Sequence, residues 1–325
     1  MGSSSVPTKP SRVIVALAFV CLYFCWGATY TANSIGVSLL PATVLAGTRL
    51  TISGGVLLIF CLFTGKKIVF SRGVLLRLWM LGVIMLFAGH IGLVWSEKYV
   101  ASGLAALIVA VTPLHVAIIE SVLPGGERLR KRGIIGLLLG FFALMALMWG
   151  DFRASMRAPT HGTTMEIVAS IVLLLGALSF ASGSVMSRRM QLPVHPLVAA
   201  GWEMLAAGVS ELFFATVTWQ WPHAVWNRHS IGAIAYLILF GSLLGFSCYI
   251  WLIHHVPVAK VATYAYVNPV VAVILGMVFL NEHPRPSEYV GMVAVVGAVA
   301  LVTSSQMKSG KPAAELEVAP IEDKA

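Results

Sequence analysis

Apolar stretches long enough to cross a bilayer follow one another almost without pause along these 325 residues. A transmembrane helix needs roughly 20 mainly apolar residues. Ten such stretches can be marked, near 13–33, 42–63, 73–95, 101–123, 133–150, 166–187, 197–219, 231–253, 258–280 and 288–306. Only short polar breaks part some of them, Ser96-Glu97-Lys98 after the third and His254-His255-Val256-Pro257 after the eighth. The composition agrees: 58% of residues are apolar and 11% charged, with mean hydropathy +0.88. A soluble domain has about 45–50% and about 25%. In hydrocarbon each backbone polar group must be satisfied within its own segment or by protein, so an all-α membrane protein is expected.

Basic residues orient the spans. With the N-terminus inside, fifteen Lys and Arg fall in inner segments, among them Lys66, Lys67, Arg72, Arg188, Arg189 and the run "RLRKR" at 128–132. Five fall in outer segments: Lys98, Arg153, Arg157, Arg228 and Arg285. The positive-inside rule then puts both termini of a multi-pass membrane protein in the cytoplasm. The +9 formal charge is accounted for by this bias, and no nucleic-acid partner is expected. The apolar run after Arg12 is too long for a cleaved signal and no A-x-A site closes it. Cys21, Cys25, Cys61 and Cys248 all fall inside spans, without disulfide or metal-site spacing. No G-x-x-x-x-G-K-[ST], H-E-x-x-H or G-x-S-x-G occurs. No metal, cofactor or catalytic residue is expected.

The chain repeats itself. Shifted by 156, residues 95–123 meet 251–279 with seven identities, including Trp95 with Trp251 and Pro113 with Pro269. A shift of 154 pairs Gly47 with Gly201 and Gly54 with Gly208. Each half holds five spans, an odd number, so the second half must sit upside down. The expected architecture is ten transmembrane helices as two inverted five-helix repeats. The expected division is a cytoplasmic tail at 1–12, a first repeat at 13–150, a periplasmic linker at 151–165, a second repeat at 166–306, and a disordered cytoplasmic tail at 307–325. Secondary transporters built this way bind substrate near the midplane, beside interrupted helices.

Polar residues inside spans mark the candidate site. In "ATYAYVNPVVAVILGMVFLNE", 262–282, Pro269 removes a backbone donor and crowds the Ala265 carbonyl; Pro113 does the same to Val109. Asn268 shares a helix face with Tyr264, while Tyr266 shares another with Thr263, and one of these faces lines the expected cavity. The counterpart of Asn268 is Thr112, so the two breaks differ chemically. Arg49 lies inside the second span, where a charge is a functional candidate by default. Its counterpart under the 154 shift is Glu203, offset in depth by roughly 9 Å at 1.5 Å per residue. Arg49 has two readings, a carboxylate anchor or a helix-helix lock. Glu120 and Glu211 are candidates for proton coupling. His90 reads first as a hydrogen-bonded structural group, and Trp26, Trp95 and Trp251 are large enough to shape a pocket.

Several of these segments resemble the EamA family of the drug/metabolite transporter superfamily. "YFCWGATY" at 23–30 looks like its opening motif and "AGTRL" at 46–50 like its second-span Arg motif. "SGLAALIVAVTPL" at 102–114 and "AYVNPVVAVILGMVFLNE" at 265–282 resemble its fourth- and ninth-span motifs. "GSVMSRR" at 183–189 and "GWEMLAAG" at 201–208 look closest to the YedA-like subgroup. Asn281 departs from the usual Gly, and Glu97-Lys98 from an acidic-then-amide pair. The resemblance implies ten helices, a place in the cell inner membrane, and secondary transport, often export, of small metabolites such as amino acids. The expected partners are a small-molecule substrate and the lipid bilayer, with a homodimer left open. The competing classes are a membrane enzyme acting on a lipid-linked substrate and a non-transporting scaffold.

Overall fold

The computed structural model describes residues 11–68, 70–124, 161–256, 264–284 and 286–307, with 131, 134–136, 138–140, 142–143 and 261 between them. Its long elements are helices: α1 (Arg12–Val37), α2 (Ala42–Phe63), α3 (Arg72–Ser96), α4 (Ser102–Val122), α5 (His161–Met190), α6 (Pro196–Val217), α7 (Arg228–Ile253, running on to His255), α8 (Tyr264–Phe279) and α9 (Pro286–Met307). There is no strand among the described residues. Helices α1 to α7 are each long and apolar enough to cross a membrane; the apolar helical stretches at Val267–Phe279 and Tyr289–Ala298 are shorter. Most of the fifth expected span, 133–150, and both tails lie outside the described residues.

The helices pack as a pseudo-symmetric set. α2 lies along α6, α1 against α7 and α8, and α5 against α3 and α4. Under the 154–156 residue shift these contacts exchange in pairs, and the α2–α6 contact maps onto itself. That central contact is made of glycine. A Cβ at Gly47 would strike Leu212, one at Gly54 would come within 2.6 Å of Leu205 N, and one at Gly201 within 2.9 Å of Leu58. Gly208 faces Thr51 in the same way. Partner numbers rise on one helix as they fall on the other, so the two run antiparallel. The glycines bring backbone against backbone, as small residues do in lipid-embedded interfaces.

Two π-helical turns break the regular winding, at Val83–Ala88 in α3 and Leu237–Phe246 in α7. They occupy equivalent places in the two halves. A π-turn leaves a carbonyl off the usual ladder, and each is used. The Ser179 hydroxyl on α5 donates to Ile84 O at 2.7 Å, and Trp26 Nε1 on α1 donates to Gly241 O at 3.1 Å.

The helix ends follow their sequences. Gly65, with φ of 71°, ends α2, and its counterpart Trp219 takes φ of 55° after α6. Asn281 takes φ of 56° after α8, which explains why Asn can replace Gly there: it is the next best residue in the left-handed region. The turn carries Glu282 to the start of α4. There its Oε1 accepts from Ser102 N and its Oε2 from Ser102 Oγ, both at 2.8 Å. A carboxylate is favoured at that helix end by the unpaired N–H groups.

The glycine contact yields a matched pair of tests. Gly54→Val should overpack the α2–α6 crossing and lower stability by about 1–3 kcal/mol or more. Gly55→Val, where nothing lies within 4 Å of the added carbon, should leave the thermal midpoint of purified protein nearly unchanged.

Candidate functional site

Between the two halves lies a cavity of about 90 Å³. A water needs roughly 10–15 Å³ of such space, so several waters or a small solute fit. α1 supplies Trp26, Thr29 and Tyr30, and α2 supplies Arg49 and Leu50. His90 comes from α3, Val109 and Thr112 from α4, Phe180 from α5, Ser242 and Phe246 from α7, and Tyr264 and Asn268 from α8. Arg49, His90 and the Gly241-Ser242 pair meet where the π-turns displace the backbone.

Arg49 is 5% exposed. Its Nε donates to Ser242 Oγ at 2.8 Å and its Nη1 lies 2.8 Å from His90 Nε2. As Arg carries donors only, that His90 nitrogen must be the acceptor and the proton sits on Nδ1, which has no partner. The third nitrogen, Nη2, lies 2.6 Å from where a Cβ on Gly241 would be, with Thr29 Cγ2 at 2.9 Å, so a side chain there would press on the guanidinium as it now lies. No hydrogen bond to Nη2 is seen among the described residues. No carboxylate lies within ion-pair distance of Arg49 either; the ion pair seen among the described residues joins Arg189 to Glu120 at 2.6 Å. Glu211 and Glu97 are the acids that act on Arg49 electrostatically, and neither lines the cavity. A buried charge whose hydrogen bonds go to neutral groups alone is costly.

Aromatic rings wall the other side. Trp26 sits 5.0 Å from Tyr249, 5.2 Å from Tyr264 and 6.2 Å from Phe180 by ring centroid. Trp26 is therefore held among three rings while it lines the cavity.

The two prolines act differently. Around Pro113, α4 is interrupted between Val109 and Thr112. The carbonyl that Pro113 frees, Val109 O, accepts the Thr112 hydroxyl at 2.6 Å; it is satisfied by the chain's own side chain. Around Pro269, helix α8 stays continuous. The Asn268 amide, turned to donate, reaches Tyr23 O at 3.2 Å and Tyr264 O at 3.3 Å, tying α8 to α1. Of the two expected faces, the one with Tyr264 and Asn268 lines the cavity; the side chains of Tyr266 and Thr263 lie outside the described residues.

Other expected site residues fall elsewhere. Arg49 and Glu203 form no ion pair. They are repeat mates on antiparallel helices, so each sits on its own side of the crossing, Glu203 at the level of Val56 and Glu211 near the level of Arg49. Glu203 and Glu211 are wholly buried with unpartnered carboxylate oxygens. Glu120 is held by Arg189 at the ends of α4 and α5. Trp95 and Trp251 do not reach the cavity. Each lies against an aromatic neighbour one turn on, Tyr99 at 5.1 Å and His255 at 4.5 Å, in matching positions of the two halves. Ser242, Tyr30 and Phe180 escaped sequence reading. Gly241-Ser242 inside an otherwise bulky apolar run was the one available signal.

Glu97 was expected in a polar break, yet it is buried against Asn33, and the adjacent Ser96 donates to Ala169 O at 2.8 Å. Ser96 and Glu97 of the break are thus buried where the chain turns from α3 into α4, and only Lys98 is exposed.

The Thr112 cap can be tested directly. Thr112→Val should strand the Val109 carbonyl and cost about 1–2 kcal/mol in chemical unfolding, while Thr112→Ser, which keeps the hydroxyl, should stay near wild type.

The sequence profile of the EamA-like transporter family matches residues 13–149 and 167–304. The uncharacterized inner membrane transporter YedA of Escherichia coli K12 is 34% identical over 288 residues, covering 88% of this chain and 89% of its own. Protein PagO of Salmonella typhimurium is 26% identical, covering 81% and 84%. The uncharacterized transporter YoaV of Bacillus subtilis is 22% identical, covering 83% and 90%. A protein of known crystal structure superposes with a TM-score of 0.64 at 22% identity, over 90% of this chain and 98% of that one; this likeness concerns the fold.

Proposed function

The chain belongs to the EamA-like transporter family, with one copy of the domain in each half, and from that premise we propose that it is a secondary active transporter. It moves small metabolites, amino acids among the candidates, across the inner membrane by alternating access, with export as the working direction. Being a transporter by family, it is no enzyme, and the lipid-linked-substrate reading falls away. The proposed architecture is ten transmembrane helices as two inverted five-helix repeats with both termini in the cytoplasm. The antiparallel α2–α6 crossing between repeat mates supports the inversion.

One observation carries the reading: Arg49 stands buried in a cavity between the halves with neutral partners alone. Structural arginines in membranes pair with acids or carbonyls. This one is arranged to meet something that enters. The positive-inside count places the Arg189–Glu120 pair at the cytoplasmic ends of α4 and α5. There it acts as a strut closing one mouth; the count of coupling protons would then fall to the unpaired Glu211 rather than to Glu120.

Uptake into proteoliposomes, across a panel of amino acids and other small solutes and with and without a pH gradient, tests the proposal. No flux of any solute would overturn it. Arg49→Ala should reduce flux to background while the protein still reaches the membrane; near-normal flux would remove Arg49 from the site. For orientation, a fluorescent protein fused after Met307 should fluoresce and a phosphatase fused there should be inactive; the opposite pattern would place that terminus outside.

A further inference from the structure

We infer that the cavity selects a net monoanion, a small carboxylate with an apolar or aromatic body, over a zwitterionic amino acid of the same shape. This rests on the transport reading of the cavity and narrows its substrate class.

The argument is a charge inventory of the lining. Among the described residues it holds one formal charge, Arg49, and no Asp or Glu. Arg49 has spent Nε on Ser242 and Nη1 on His90, both neutral acceptors. Arg49 lines the cavity with a guanidinium that is 5% exposed, and the lining holds no acceptor of opposite charge for its remaining N–H groups. A carboxylate entering there gains charge-assisted hydrogen bonds and removes the standing cost of an unneutralised buried cation.

A zwitterion makes the same contact but must also bury an ammonium. The cavity offers that group nothing charged. Glu211 and Glu97, the acids whose fields reach Arg49, lie outside the lining. Aromatic faces could host a cation, but Trp26 has Tyr249, Tyr264 and Phe180 around it. The neutral acceptors of the lining are the hydroxyls of Thr29, Tyr30, Thr112, Ser242 and Tyr264 and the Asn268 amide; a hydroxyl that donates, as Thr112 does to Val109 O, can still accept. The Asn268 amide nitrogen is turned to Tyr23 O and Tyr264 O, leaving one amide oxygen. Neutral acceptors can hydrogen-bond an ammonium but do not neutralise it, and a buried charge without a counter-charge is costly, a cost the monoanion avoids.

The rest of the lining sets the body of the ligand. Leu50, Leu86, Leu93, Leu173, Phe180 and Phe246 are all apolar, so the part of the molecule away from the carboxylate is expected to be hydrocarbon or aromatic.

The test uses three probes that share one ring and differ in charge: 3-phenylpropanoate, phenylalanine and 2-phenylethylamine. Binding to the full-length protein in liposomes is read by tryptophan fluorescence, with Trp26 in the lining, and by calorimetry. The anion should bind about tenfold or more tighter than the zwitterion, and the amine weakest. Arg49→Gln should abolish the preference, and Arg49→Lys should keep part of it. The inference is overturned if phenylalanine binds as tightly as the anion, if the preference survives Arg49→Gln, or if none of the three binds at millimolar concentration. Flux in the same liposomes separates the two claims. Charge-selective binding without flux overturns transport and leaves the ligand class standing. Flux without anion preference does the reverse.

Discussion

The crossing of α2 and α6 is the constraint on which the rest of the fold hangs. Gly47, Gly54, Gly201 and Gly208 let two backbones touch, and in lipid such contact substitutes for the hydrophobic force that water would supply. Because the four glycines are repeat mates and the helices run antiparallel, the contact fixes a local two-fold relation between the halves. α1 then meets α7 and α8 as α5 meets α3 and α4. The cavity opens where those two sets face each other, and Arg49, five residues before Gly54 on α2, is carried into it.

Within that symmetric frame the site itself is not symmetric. Thr112 and Asn268 occupy matching positions beside matching prolines. One turns inward to cap its own helix at Val109; the other reaches across to α1 at Tyr23. The π-turns match in place, yet the first is followed by His90 and the second contains Gly241 and Ser242. Both sets of groups converge on the one arginine. The repeat builds the scaffold twice and the chemistry once.

How far this could be read beforehand follows from what each feature costs in sequence. The long apolar runs are dictated by bilayer thickness, so nine of the expected spans coincide with described helices within a few residues at most ends. Arg49 was visible because a charge in such text is rare, and Tyr264 with Asn268 because they lie four apart. The π-turns were invisible: "VIMLFA" and "LILFGSLLGF" carry no mark beyond the glycines. The partners of Arg49, His90 and Ser242, come from two helices far apart in number, and spacing on one helix says nothing of them. The repeat made Glu203 the counterpart of Arg49 and left open whether the two meet. They form no ion pair, because repeat mates on antiparallel helices are opposite each other only near the crossing point.

The opposite charges at those mated positions have a consequence of their own. Two identical chains joined through an antiparallel glycine crossing would present the same side chain twice, two arginines or two glutamates, each repelling its copy in a medium that screens poorly. A single chain carrying both halves is released from that duplication. It can hold a cation on one flank of the axis and an acid on the other, so the two ends of the path need not offer a passing solute the same welcome. Joining the halves in one polypeptide is what allows a two-fold scaffold to have a direction.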